Sequence, residues 1–424
     1  MRRLIRFYRS IFFTNRALTG VLILFVVCAV SAISTGFWLA WRLSYVALIG
    51  VPLAYAWSRL NLQGIEITAD RSGDRLQEGA QYEERITVKN NGWLAKIWLE
   101  IDDPSDMPGH HARRVVTVPA KGSRTFRVRS TITRRGLYAV GPVMIRTGDP
   151  FGLFRHERSF GRTQNVLVYP RATELPNFPV PPANLPGEGR FRRRTHYGTP
   201  NASGVRGYEY GDSFNRIHWA STARTGELMV KIFELDPASD IWIMLDLERG
   251  VHAGEGDEST EEYGVRIAAS VSRYFLTANR SVGFLSFGRG FDVIEAERGI
   301  DQYTRILESL AMARAWGDAP LHDLISNEAR RFGRHTTVVV ITPSTDERWV
   351  AALGLLHSRG VKVAAIVLEP STFGGAESSL GVFASLAGSD VFTYMVKRSD
   401  DLQRALGGTE AAALEAGSQK MGDR

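Results

Sequence analysis

Cysteine is almost absent from this chain: 424 residues hold one, Cys28. A single thiol excludes an internal disulfide and any CxxC redox or zinc pair. The motifs of self-contained chemistry are missing too. No GxxxxGK(S/T) phosphate loop, HExxH zinc pair or GxSxG nucleophile elbow occurs. Acidic residues are absent from positions 1–65, where seven arginines stand (Arg2, Arg3, Arg6, Arg9, Arg16, Arg42 and Arg59). Those seven account for the whole net charge of +7, so the remainder is neutral and bulk-charge binding of nucleic acid is not expected.

What the N-terminus does contain is long apolar runs. Ala17 to Ile33 and Phe37 to Trp57 each approach the roughly 17–25 residues that cross a hydrocarbon core, with Arg42 the only interruption. Ser34, Thr35 and Gly36 between them suit a helical hairpin. Five arginines before the first run and Arg59 after the second place both ends in the cytoplasm by the positive-inside rule. Residues 1–60 therefore read as a two-helix membrane anchor, with the body facing the cytoplasm.

Residues 61–169 read as all-β. IEITADR, YEERITVKN, KIWLEID, RRVVTVPA, SRTFRVRSTI, LYAVGPVMIRT and NVLVYP are short alternating or β-branched runs separated by turn signals. Seven such strands suggest an immunoglobulin-like sandwich. Trp93, Trp98 and Phe126 read as core residues, and the His110–His111 pair as an exposed loop. Residues 170–237 form a connector that begins with the proline-rich PNFPVPPANLPGEG, expected to be extended and stiff. The run Arg190, Arg192, Arg193 and Arg194 reads as a solvated or acid-paired charge cluster, with lipid headgroups as the other option.

From residue 238 to 400 the rhythm changes to strands alternating with helices, which gives a mostly parallel sheet covered on both faces. Ligand sites in such sheets lie beyond the carboxyl ends of the strands, here at Asp246 and at Ser344 to Asp346. Residues 401–424, rich in Ala, Gly and Glu, read as a tail.

The densest stretch is RGYEYGDSFNRIHWASTARTGELMVKIFE, Arg206 to Glu234. Its aromatics, charges and turn residues fit neither a plain strand nor an amphipathic helix. Tyr208, Tyr210, Asp212, Arg216, His218, Trp219 and Arg224 are of the types that dominate protein interfaces, and they are the candidate partner-binding residues. Asp212, His218 and Ser221 have the residue types of a nucleophilic triad, but types without geometry are weak. A structural role fits better, with Asp212 closing a turn, Arg216 and Arg224 pairing with Glu209 and Glu227, and Trp219 anchoring the segment to the sheet.

With RGLYAVGPVMIRTGDPFGLF and VLVYPR, this stretch resembles the family called domain of unknown function 58, found in bacterial membrane-associated proteins. The α/β part resembles a von Willebrand factor type A domain. That second resemblance implies a metal-ion-dependent adhesion site built on an Asp-x-Ser-x-Ser turn plus a later Thr and Asp. Here the turn reads Asp246, Leu247, Glu248, Arg249, Gly250, so both serines are replaced and the site is degraded. Asp246, Glu248 and Asp346 remain as candidate ligands for Mg²⁺. The first resemblance implies a MoxR-type AAA+ ATPase as partner and a role in assembly or maturation of other complexes. The expectation is a multidomain membrane-anchored adaptor or scaffold, not itself an enzyme. The alternatives are a metal-dependent hydrolase using Asp246, Glu248 and Asp346, and a binder of lipid or envelope polymer.

Overall fold

Two apolar helices, α1 (Arg16–Thr35) and α2 (Trp38–Leu62), come first among the described residues and pack against each other. Both are long and apolar enough to cross a membrane, and most of their side chains are exposed, as a lipid-facing surface requires. The computed structural model describes residues 16–179, 202–209, 217–233, 240–288, 290–389 and 391–407. Arg190, Arg192, Arg193, Arg194, Tyr210, Asp212 and Arg216 lie outside the described residues. The chain divides into two compact units, residues 1–169 and 170–424.

Unit 1 carries ten strands after the helices: β1 (Ile65–Arg71), β2 (Arg75–Gln77), β3 (Gln81–Asn90), β4 (Lys96–Asp102), β5 (Arg114–Val118), β6 (Ser123–Thr131), β7 (Gly136–Val140), β8 (Val143–Gly148), β9 (Arg155–Phe160) and β10 (Gln164–Tyr169). One sheet runs β1-β3-β6 and another β5-β4-β8-β9, both antiparallel; β2-β10-β7 forms a third. Ile65, Ile86, Val88 and Phe126 from the first sheet meet Leu99, Ile101, Val118, Val143 and Ile145 from the second in one core. The alternation legible in each strand is the reason, because every second residue points inward.

Several expectations for this region are corrected. LYAVGPVMIRT is two strands in different sheets, β7 and β8, divided at Gly141–Pro142. Strands β2 and β9 are additional. Phe126 is buried, but Trp93 and Trp98 are 76% and 64% exposed. His110 is buried rather than exposed; its Nδ1 lies 3.0 Å from Ser130 Oγ, and its Nε2 is 3.4 Å from Glu84 Oε2. Beside it, Arg71 binds both Glu84 (3.0 Å) and Asp103 (2.7 Å) through a nearly buried guanidinium. Burial and the neighbouring Glu84 push the Asp103 carboxyl up to about 7, against the pull of Arg71.

Unit 2 opens with a strap laid along its own α/β part. Over residues 170–179, Thr173 N–H donates to Ser270 Oγ (2.9 Å), and Glu174 pairs with Arg273 at 2.6 Å. Phe178 is buried against Tyr274, Phe275 and Tyr394. Then come β11 (Ala202–Gly207), α3 (Trp219–Thr225) and β12 (Met229–Phe233), followed by the α/β part. Its strands are β13 (Asp240–Leu245), β14 (Val282–Phe287), β15 (Phe291–Glu297), β16 (Thr336–Thr342), β17 (Lys362–Leu368) and β18 (Phe392–Val396). Its helices are α4 (Thr260–Thr277), α5 (Ile300–Met312), α6 (Leu321–Glu328), α7 (Arg348–Ser358), α8 (Leu380–Ala387) and α9 (Leu402–Leu406). The last of these, with Leu402 and Leu406 buried, falls where a tail was expected.

The six strands pair in the order β15-β14-β13-β16-β17-β18, all parallel except the β15 edge. Every residue of β16 is buried, as a central strand covered on both faces requires. Trp242, Met244, Val338 and Val340 face a cluster with Leu321, Ile325, Trp349 and Leu353 from α6 and α7. On the other face α4 presses onto Leu245, Ile341 and Leu368 at Gly264, where a side chain would crowd Leu245. Strand order reverses between β13 and β16, and that is where an open α/β sheet leaves a crevice at its carboxyl edge.

Candidate functional site

Two regions hold the residues singled out from sequence. The first is the hairpin β11–β12, antiparallel from Gly207↔Met229 to Ala202↔Phe233, with α3 in its connection. Ile217 bridges Val230, and both are buried. His218 supplies the cap of α3: its Nδ1 accepts from the backbone N–H of Ser221 at 3.2 Å and lies 2.7 Å from Ser221 Oγ. Thr222 Oγ1 in turn accepts from Met229 N–H at 3.0 Å, tying the helix to β12. A His–Ser contact thus exists, and a helix N-cap accounts for it, since orphan amide donors at the first turn need an acceptor.

This local scaffold holds its aromatic outward. Trp219 is 67% exposed and does not anchor the segment to the sheet as expected. Arg206 sits beside Glu209 (3.8 Å), whose expected partner Arg216 lies outside the described residues. Tyr208 N–H donates to Leu228 O (2.8 Å), and Leu228 is itself exposed. Of the seven candidate interface residues, Tyr208, His218, Trp219 and Arg224 are placed on this one module. His218 shapes it, and Trp219 is presented by it.

The second region is the carboxyl edge of the sheet. Asp246 follows β13 and is completely buried. Thr342 Oγ1 donates to its Oδ2 (2.6 Å) and Glu248 N–H to its Oδ1 (3.0 Å). Burial pushes the carboxyl up to about 6 while these two hydrogen bonds pull it down. His252 donates from Nε2 to the Asp246 carbonyl (3.1 Å), and burial drives its imidazole down to about 4, so the ring is neutral. Glu248 bridges Gly317, whose Cα hydrogens approach the Phe287 carbonyl so closely that no side chain fits.

That contact brings residues 317–322 to the edge, the stretch in which the type A resemblance expects its later Thr, and the side chain supplied there is His322. His322 Nδ1 lies 3.7 Å from Asp346 Oδ2. Arg348 grips Asp346 at both oxygens, Nε to Oδ1 at 3.0 Å and Nε to Oδ2 at 2.8 Å, holding that carboxyl below the usual range. Glu248 shifts the other way, through burial and then the charges of Asp246 and Asp346. The three candidate metal ligands therefore do come to one edge. Asp246 points inward and Asp346 is engaged by Arg348, which leaves Glu248. Among the described residues, no group of three or more histidine, cysteine or acidic side chains is arranged to hold a metal ion. The edge is a polar rim of Glu248, His322, Asp346 and Arg348 over a closed, hydrogen-bonded Asp246.

Residues 204–373 match the family described as "Protein of unknown function DUF58". The match runs from β11 through β17 and so takes in both regions. Over 327 residues the chain is 23% identical to the "Uncharacterized protein YeaD" of Bacillus subtilis (strain 168), covering 74% of this chain and 79% of that one. Among solved structures, the CARDB domain of a Pyrococcus furiosus protein aligns with 25% of this chain and 94% of its own, at 15% identity and a TM-score of 0.19. The C-terminal domain of wzt aligns with 25% and 73%, at 11% identity and a TM-score of 0.20. Scores this low say nothing of this chain's fold or function.

Proposed function

We propose that the protein is a membrane-anchored adaptor that captures a partner protein through the β11–α3–β12 module. The observation that carries this reading is Trp219, two-thirds exposed on a short helix that His218 caps at its start and Thr222 ties to β12 from its middle. A large aromatic held rigidly in water has little folding role, whereas Trp is the residue type most enriched among interface hot spots. The two apolar helices support anchoring in a bacterial inner membrane, with the arginine-rich ends in the cytoplasm. The partner we propose is a MoxR-type AAA+ ATPase, which would supply the nucleotide chemistry this chain has no phosphate loop for. In this reading unit 2 is a von Willebrand factor type A-like domain, supported by its strand order and antiparallel edge strand, and unit 1 contains an immunoglobulin-like sandwich.

The test is affinity capture of tagged full-length protein from solubilised native membranes with ATP and Mg²⁺, the retained proteins being identified by mass spectrometry. Wild type is expected to retain an AAA+ ATPase and Trp219→Ala to lose it, with unchanged melting behaviour. Retention of the ATPase by the variant at wild-type level would remove Trp219 from the contact. Absence of any ATPase from the wild-type sample would end the adaptor reading as stated.

A further inference from the structure

The anchor helix is not a flexible tether. Its last turns are docked against the strands of unit 1 through a stripe of small and polar residues, Ala54, Ser58 and Asn61, all buried. Asn61 donates from Nδ2 to Ile97 O (2.8 Å) and Thr147 Oγ1 (2.6 Å), and accepts from Ile97 N–H at 3.2 Å. Lys96, buried, donates its ammonium to the Leu60 carbonyl, where the negative end of the helix needs a cation. Higher up, Tyr55 packs edge-on against Phe154 with ring centroids 5.3 Å apart.

This docking sets a length problem. Residues 38–53 are the part of α2 above the dock, about 24 Å at ~1.5 Å per residue. The hydrocarbon core is about 30 Å thick. A spanning α2 must therefore sink until the bilayer boundary lies near Tyr55, and the loops at that level meet the headgroups.

Three exposed aromatics stand at this end of unit 1, each presented by its own device. In the loop between β8 and β9, Asp149 accepts from Phe151 N–H (2.9 Å) and from Phe154 N–H, which projects Phe151 at 74% exposure. Between Lys96 and Leu99 the β4–β5 register slips, and Trp98 is driven outward at φ +54°, a conformation a bulky residue seldom adopts. Trp93 projects from a loop that buried Asn90 staples, donating to Leu94 O (2.8 Å) and Pro119 O (3.0 Å) while accepting from Gly92 N–H (2.9 Å). Arg59, Lys121 and Arg155 are exposed at the same end.

We propose that Trp93, Trp98 and Phe151 form an aromatic footing that seats unit 1 in the anionic headgroup layer of the membrane holding its own anchor. The inference rests on the membrane reading above. Aromatic rings favour this boundary because one edge lies in apolar surroundings and the other in water, and the three basic side chains suit anionic lipid. The footing fixes the height of unit 1 at the bilayer surface.

The test uses full-length protein in a Cys28→Ser background, carrying one bimane-labelled cysteine and reconstituted into phosphatidylethanolamine–phosphatidylglycerol vesicles with nitroxide lipids. Labels go at Leu48→Cys in mid-helix, at Phe151→Cys, at Trp93→Cys, and at Asp74→Cys in the opposite end of the strand region. Quenching at positions 151 and 93 is expected to exceed that at 74 roughly two- to threefold for headgroup-placed nitroxides, as for groups seated ~5–10 Å into the interface. Quenching at 48 with none above the position-74 level at 151 and 93 would overturn the footing while leaving the anchor intact. No quenching at 48 would overturn the membrane reading and the footing with it.

Discussion

Asp246 combines complete burial with two hydrogen bonds, and its carboxyl is pushed from 3.8 up to about 6. The native state then holds this proton more tightly than the unfolded chain does. Stability contributed here is greatest below pH ~4 and falls as pH rises towards ~6, by about 3 kcal/mol at most. Asp246→Asn is expected to flatten the fall in melting temperature across that window, and an unchanged slope would mean that another group causes it. Trp219 is the opposite case, a side chain with two-thirds of its surface already in water. Its alanine variant should alter folding stability by no more than about 0.5 kcal/mol while costing a partner contact about 2 kcal/mol or more. The capture experiment, run beside a thermal melt, separates those two effects.

At the scale of elements, Arg71 at the end of β1 ties β3 to the segment after β4 by holding Glu84 and Asp103. Both carboxylates are fully buried, so removing their cation leaves uncompensated charge in the interior. Arg71→Met is expected to lower the stability of unit 1 by about 3–5 kcal/mol near pH 8 in thermal or denaturant unfolding. The loss should shrink at pH 5, where Asp103 takes up a proton and needs no partner. A pH-independent loss would show that packing, not charge, is what Arg71 supplies. The β11–α3–β12 module works differently: a His cap and a Thr–backbone bond hold seven helical residues that would not form a helix alone.

At the scale of the molecule, each unit has its own core. Unit 2 buries both faces of a six-stranded sheet and is strapped by residues 170–179. Expressed alone, residues 170–424 are expected to remain in the supernatant and melt cooperatively. Residues 1–169 should sediment with membranes and resist alkaline extraction. A fragment 170–424 without a cooperative melt would show that this core does not suffice by itself. Extraction of residues 1–169 by alkali would instead count against a spanning anchor.

Local patterns were enough to reveal much of this organisation. Two apolar runs, period-two alternation through β1, β3 and β6, and apolar strands spaced by helical segments are properties of consecutive residues, and periodicity reports which face is buried. The polar β9 and the three-residue β2 carry no such pattern and were legible only once paired. Asp246 and Asp346 were placed at the sheet edge from strand ends and Glu248 from the type A resemblance, whereas the His322 side chain stands there because its segment passes the Phe287 carbonyl at Gly317. Trp93 and Trp98 read as core because tryptophan is costly to expose. Whether a given tryptophan is buried depends on the β-bulge and the Asn90 staple, and each of these joins residues far apart in the chain. His110, Arg71 and the strap at 170–179 follow the same rule. Sequence by itself determined which segments are apolar, alternating or helical, because those preferences act between near neighbours. Tertiary structure alone decided which side chains are presented and which are closed off, because burial and charge pairing are set by whatever packs across the gap.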